Sequence, residues 1–258
     1  FGFVSVSNAA EDDLAWFKKA NIDWQQFKGT TVTIAMNKHP FTESLLPLIP
    51  QFEKLTGMKT KYLILPEEEY FQKIEVDLSS KQGVYNVFMC GPMRNWGYTT
   101  PGWMEPLDKY LDDPKLTDKQ WYDLADIYPS LIAANRWSKK IGGGIGEGDL
   151  WSIPVMFESY ILPYRKDLYE KYGLKPPTTL EEMAKNARVI KEKTAAEGNP
   201  VDGIIARGLA NTSTIATGYI SALKAYTGPD WNEFDENLHS TLDDPRVVEF
   251  TDKWVGMI

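Results

Sequence analysis

The chain has 258 residues, 43% hydrophobic and 25% charged, with a formal net charge of -8. Such a length and composition build one or two ordinary globular domains, and no apolar run reaches the roughly 18 residues of a membrane helix. The acidic balance supplies no concentrated basic surface, so no nucleic acid is expected as a partner.

One cysteine, Cys90, excludes an intrachain disulfide, and His39 and His239 stand far apart with no zinc-like spacing around them. No metal or other cofactor is expected. The opening, Phe1 to Val6, is apolar, and Ser7-Asn8-Ala9 puts small residues where a signal peptidase reads. It fits the remnant of a signal peptide, or else an ordinary chain start.

A mixed aromatic and charged lead-in, Trp16 to Phe27, closes at Gly29. Thr30 to Met36 is rich in branched residues and predicts a strand. Leu45, Ile49 and Phe52 share one face of a helix that stops at Gly57, with Pro47 and Pro50 placed to bend it. Lys59 to Leu65 predicts a second strand. Glu67 to Lys81 predicts a helix with Tyr70, Ile74 and Leu78 as its apolar stripe, and Tyr85 to Cys90 a third strand, internal to its sheet. Alternating strands and helices of these lengths define βαβ units and a parallel sheet.

The same grammar resumes after an irregular middle. Trp151 to Phe157 reads as extended, and Tyr160 to Arg165 and Val201 to Ala206 as strands. Thr179 with Glu182 three residues on is a capping box opening a helix. Thr214 to Tyr226 predicts a helix ending at Gly228-Pro229. The expectation is therefore an α/β chain of two lobes, each a mostly parallel sheet flanked by helices, joined near residues 152 to 159. The lead-in occupies 1–29, lobe one 30–157 and lobe two 158–258. The last helical pattern, from Pro245 through Phe250 and Val255 to Ile258, stops without glycine, basic turn or polar tail, as an interrupted chain would, so lobe two is expected to be partial.

Ligands of open α/β sheets collect outside the carboxyl ends of the strands. The loop after the first strand brings Asn37, Lys38, His39 and Phe41 there, with amide, cationic and apolar surfaces. A solvated turn that caps the next helix fits it equally well. Glu67, Glu68 and Glu69 follow the second strand. Acidic residues suit a helix N-terminus for local electrostatic reasons, although one facing a cleft would accept bonds from hydroxyls or an amine. After the third strand come Gly91, Pro92 and Trp96. The chain holds nine tryptophans, more than a core usually needs, and an indole face pairs with the flat apolar face of a sugar ring. Cys90 reads as a packed thiol rather than a nucleophile.

Gly142 to Gly148 carries five glycines but neither the lysine nor the spacing of a phosphate loop, and precedes an extended segment instead of a helix. It predicts a loop. Glu158 arrives directly after the apolar Pro154-Val155-Met156-Phe157, where a charge needs paired donors or solvent. Ligand binding, a salt bridge at the lobe junction and catalysis are its three readings. A glycosidase would need a second carboxylate across the bond to be cleaved. Arg207 and Asn211, in a polar loop after the fifth predicted strand, offer donors from a second wall.

The run Ile153 to Leu168 (IPVMFESYILPYRKDL) resembles the crossover segment of the extracellular solute-binding proteins of family 1, the group of the maltose- and other carbohydrate-binding proteins. Pro176 to Glu182 resembles that family's next helix start, and Phe52 to Lys59 its first helix end and second strand. The likeness runs in order from about residue 30 to 258. It implies a two-lobe periplasmic-binding-protein fold without chemistry of its own, periplasmic or otherwise extracytoplasmic, and monomeric. Its partners would be a small carbohydrate-like solute and an ABC permease in the membrane. The positions matching the family's sugar contacts are Asn37 to His39, Gly91 to Trp96, and Glu158. Gly91-Pro92 replaces the maltose type's tryptophan and charged contacts, which points away from maltose. The competing expectations are a glycan-cleaving enzyme using Glu158, a binder of an amine-bearing solute, and a structural surface protein.

Overall fold

The computed structural model describes residues 14–140, 142–158, 161–206 and 216–257, with side chains omitted at 216 and 217. It divides into two compact units, one ending at Phe157 and the other beginning at Glu158.

The first unit is organised by a parallel sheet in the order β2-β1-β3, formed by β1 (Thr31–Asn37), β2 (Lys59–Leu65) and β3 (Val87–Phe88). β1 and β2 pair from Thr31 with Lys59 to Asn37 with Leu65, and β3 joins at Ile34 with Val87 and Ala35 with Phe88. Between the first two strands lie α1 (Pro40–Leu45), a 3₁₀ turn (Leu46–Leu48) and α2 (Ile49–Thr56). The single expected helix is thus broken at Pro47, whose ring cannot continue an α-helical ladder. Gly57 closes α2 in the left-handed region at φ 67°. α3 (Glu67–Ser80) returns the chain to β3.

Tyr70 and Ile74 of α3 form the core with Ala35 and Tyr98, flanked by Leu78, Phe88 and Trp103. The Tyr70 hydroxyl donates to the Met89 carbonyl at 2.7 Å and lies 3.0 Å from that of Ala35, tying the helix to β1 and to the residue that follows β3. Burial holds this phenol well above the ordinary tyrosine range. Two expectations about the third strand are corrected: it is two residues long, not Tyr85 to Cys90, and it is an edge of the described sheet. Asn86 donates its amide to the Thr33 carbonyl at 2.9 Å while its carboxamide oxygen, in place of a backbone carbonyl, accepts from the Thr33 amide, and regular pairing ends there.

α4 (Pro92–Thr99), α5 (Asp108–Asp112), α6 (Lys119–Tyr122) and α7 (Pro129–Ala134) follow. A short antiparallel pair, β4 (Arg136–Trp137) and β5 (Asp149–Leu150), then encloses the glycine-rich stretch as a hairpin loop. Gly148, at φ 80°, lies so close to Ser138 that a Cβ would stand 2.4 Å from its Cα, so the glycine serves a close backbone approach. Lead-in residues Trp16, Phe17 and Trp24 cluster with Trp121, with the Trp16 and Trp121 rings 4.4 Å apart.

Asp108 fastens the hairpin, accepting from the Leu150 amide at 2.7 Å and the Arg136 guanidinium at 2.8 Å. Partial burial alone would raise its pKa, but those two donors outweigh it and hold the carboxyl below its ordinary value. A depressed folded pKa contributes stability that is present above the unfolded value of about 3.9 and lost as pH falls through the folded value. The melting temperature should therefore fall more steeply on acidification below about pH 4 in the wild type than in Asp108→Asn. Parallel curves would remove Asp108 from the acid response.

The second unit contains α8 (Lys166–Tyr172), α9 (Leu180–Ala196), a π-helical turn (Ala216–Ile220), α10 (Ser221–Thr227) and α11 (Pro245–Val255). Thr179 caps α9, accepting from the Glu182 amide at 3.1 Å, while the Glu182 carboxylate reaches the amide and hydroxyl of Thr178. The reciprocal half of the box has slid one residue upstream. Leu168, Tyr169 and Ile190 make one core, and Leu223, Trp231, Val247 and Phe250 another.

No strand forms at 161–165 or 201–206, so neither expected strand of lobe two is present among the described residues. Pro163 removes a ladder donor from an otherwise exposed run. Gly203 is instead pressed against α9, where a Cβ would stand 1.9 Å from the Ala187 carbonyl oxygen. An isolated antiparallel bridge joins Phe234 and Ser240. None of the described helices is long and apolar enough to cross a membrane. The expected signal-peptide remnant at 1–10 lies outside the described residues.

Candidate functional site

Because β1, β2 and β3 are parallel, their carboxyl ends and the loops after them share one edge of the sheet. Burial along β1 deepens towards that edge, ending at Ala35, Met36 and Asn37. Asn37 is 9% exposed, and its buried carboxamide oxygen has no hydrogen-bond partner. A buried acceptor left unpaired is costly, so one at a crevice edge is a candidate for a ligand donor.

The next residues are held by local bonds. The Lys38 amide donates to the Leu65 carbonyl at 2.7 Å, fixing the loop to the end of β2. His39 caps α1, its Nδ1 accepting from the Phe41 amide at 3.1 Å, and Thr42 donates to the Asn37 carbonyl at 2.8 Å. The helix-capping reading therefore holds for the His39 ring. The Lys38 side chain is exposed and Phe41 half-buried. Glu67, Glu68 and Glu69 are exposed in the first turn of α3, where the helix dipole favours them.

After β3, Gly91 precedes α4 and Pro92 is its first residue, placed where a missing N–H costs nothing. Asn95, Tyr98 and Thr99 bury one face of α4, while Met93 and Trp96 lie outward, Trp96 64% exposed. Arg94 locks the helix to α3, its guanidinium 3.6 Å from the Phe71 ring centre and 2.9 Å from Glu75. A large indole held outward by a fixed helix is a surface suited to the apolar face of a solute. Burial pushes the Cys90 thiol up to about 11, in keeping with a packed sulfur.

The sheet thus brings Asn37, Lys38, His39 and Phe41 to the same edge as Gly91, Pro92 and Trp96. Glu158 is the first residue of the second unit and is exposed. Arg207 and Asn211 lie outside the described residues. Sequence reasoning passed over Asn135 and Ser152 and carried Asn95 only within the run Gly91 to Trp96, whereas the three form a polar network in which Asn95 and Asn135 are buried. A signal was available for Asn95, which falls on the same helical face as Tyr98 and Thr99 at spacings of three and four. Among the described residues, no group of histidine, cysteine and carboxylate side chains could hold a metal ion.

Residues 38–258 match the family of bacterial extracellular solute-binding proteins, and the chain belongs to that family. Among its relatives, the erythritol/L-threitol-binding protein of Mycolicibacterium smegmatis is 30% identical over 99% of this chain and 52% of its own length. The mannitol-binding protein of Pseudomonas aeruginosa is 26% identical over 45% of this chain and 23% of its own. A solute-binding protein of Agrobacterium vitis, solved with bound D-mannitol, superposes with a TM-score of 0.62 at 27% identity, over 89% of this chain and 50% of that one. One from Agrobacterium radiobacter, solved with ribitol, shares the fold at a TM-score of 0.68 and 22% identity, over 90% and 53%. The chain spans about half the length of the first of these relatives.

Proposed function

We propose that this chain is part of the extracytoplasmic binding component of an ABC importer, a monomer whose two units act as lobes that close on a small polyol or sugar. The observation that carries the reading is the unpartnered, buried carboxamide oxygen of Asn37 at the sheet edge that also presents Trp96. One is an acceptor for a solute hydroxyl, the other a flat apolar face, and a polyol needs both. Relatives named for erythritol, L-threitol and mannitol support an acyclic polyol over a maltose-like oligosaccharide. Residues 30–157 form lobe one and 158–258 contribute to lobe two, with Glu158, Arg207 and Asn211 supplying polar contacts from the second lobe. The solute is handed to a membrane permease unchanged. Family membership, rather than any missing catalytic cluster, sets the glycan-cleaving reading aside.

Calorimetry of the intact protein against erythritol, L-threitol, ribitol, mannitol and maltose tests this. A polyol should bind stoichiometrically, without turnover, and more tightly than maltose. Glu158→Gln should then cost about 1.5–3 kcal/mol, or roughly ten- to 150-fold in Kd, for loss of a charge-assisted bond. Binding of none of these solutes, or release of a product, overturns the proposal. A change below about twofold with folding intact removes Glu158 from the contact set.

A further inference from the structure

The last stretch of the first unit is held tightly at its start and hardly at all beyond it. Leu150 donates its amide to Asp108 at 2.7 Å, and its carbonyl accepts from Leu107 at 2.8 Å. The Trp151 amide donates to the Asn135 carbonyl at 3.1 Å, and its indole N–H to the Trp137 carbonyl at 2.9 Å. Ser152 then joins a run of side-chain bonds in which its single hydroxyl hydrogen, with Asn95 Oδ1 3.5 Å away, goes to the much nearer Asn135 Oδ1. Cys90 donates to Asn95 Oδ1 at 3.8 Å, Asn95 Nδ2 to Ser152 Oγ at 3.2 Å, Ser152 Oγ to Asn135 Oδ1 at 2.5 Å, and Asn135 Nδ2 to the Leu131 carbonyl at 2.8 Å. Bonds aligned in this way polarise one another and strengthen the run.

Asn95 and Asn135 are 3% and 5% exposed, so neither can exchange its partner for water. One residue past Ser152 the bonding stops. Among the described residues, Ile153 to Phe157 make no hydrogen bond, and Val155 and Phe157 are 60% and 63% exposed. Pro154 has no N–H to donate. The second unit begins at Glu158.

We propose that Ser152, clamped between Asn95 and Asn135, is the positioning residue that fixes the root of the link between the two units. Any rearrangement of that link starts at Ile153 and not before. Asn95 neighbours Trp96 on α4, so the same clamp sets the outward indole and the root of the link in one frame. A short-range hydroxyl contact of this kind is lost in Ser152→Ala and kept in Ser152→Thr.

Hydrogen exchange of the intact, solute-free protein tests the clamp. In Ser152→Ala the Trp151 amide should exchange about tenfold faster or more, while the β1 amides of Ile34 to Met36 keep their wild-type rates, because only the local opening has become easier. Ser152→Thr should match the wild type. Ser152→Cys, which keeps the size and a weak donor, carries the same comparison should the alanine variant not fold. Unchanged Trp151 exchange, or exchange that rises only in step with β1, overturns the proposal. The clamp is judged on exchange alone, so it stands or falls separately from solute capture.

Discussion

Tyr70→Ala is expected to unfold the first unit at a much lower temperature, at a cost of about 3–5 kcal/mol for the lost ring and its cavity. Tyr70 is fully buried beside Ala35, Ile74 and Tyr98, and its hydroxyl reaches the carbonyls of Ala35, on β1, and of Met89, just past β3. Tyr70→Phe separates the two contributions. It keeps the ring but leaves the Met89 carbonyl without its donor, at about 1–3 kcal/mol. Hydrogen exchange resolved by residue should show β1 and α3 losing protection in both variants, more in the alanine. If Tyr70→Phe is neutral by chemical denaturation, the hydroxyl adds nothing to the sheet and the ring alone anchors α3.

Phe250→Ala should cost a similar amount, about 3–5 kcal/mol, in the second unit. Phe250 is fully buried with Leu223, Trp231 and Val247, and its ring lies 5.4 Å from those of Tyr219 and Tyr226 and 5.6 Å from that of Trp254. That one ring joins α10 to α11. The loss of protection should fall on residues 216–257 and leave Ala35 and Ile74 unchanged, since the two cores share no residue. Equal loss in both units, from either variant, would show that they melt as one cooperative body.

The elements of the first unit were legible where periodicity and punctuation agree. β1 and β2 carry branched and apolar runs bounded by Gly29 and Gly57, and α3 repeats its apolar residues at Tyr70, Ile74 and Leu78. β2 was placed to the residue, since Lys59 and Leu65 are its bounds. The third strand misled because Tyr85 to Cys90 is apolar enough for a strand, but only two residues form the ladder, Asn86 meeting Thr33 through its amide and its side-chain oxygen together. In the second unit, 201–206 has strand composition, yet Gly203 sets that stretch directly on α9. Apolar composition does not say whether a short stretch pairs in a sheet or lies along a helix, and here Ile205 is 90% exposed.

At the candidate site, sheet topology alone placed the loops of Asn37 and Gly91 at one edge, because parallel strands must end together. What no single-sequence pattern could separate was the function of neighbouring polar residues. His39 spends its ring on capping α1 while Asn37, two residues earlier, keeps a buried oxygen unpaired. The Asn95, Ser152 and Asn135 network joins residues 57 positions apart in one case and 17 in the other, so nothing local announces it.

The aromatic cluster of the lead-in has an optical consequence. Indoles whose rings sit 4.4 Å apart, as in Trp16 and Trp121, with Trp24 at 5.7 Å, share their excitation instead of absorbing independently. Three chromophores fixed in a chiral arrangement give strong near-ultraviolet ellipticity. The aromatic members of the core around Tyr70 are tyrosine and phenylalanine, with Trp103 at its margin. The dichroism of the folded protein near the indole band should therefore carry a component set by whether residues 16–24 are seated against α6, beside those of Trp151 and Trp254.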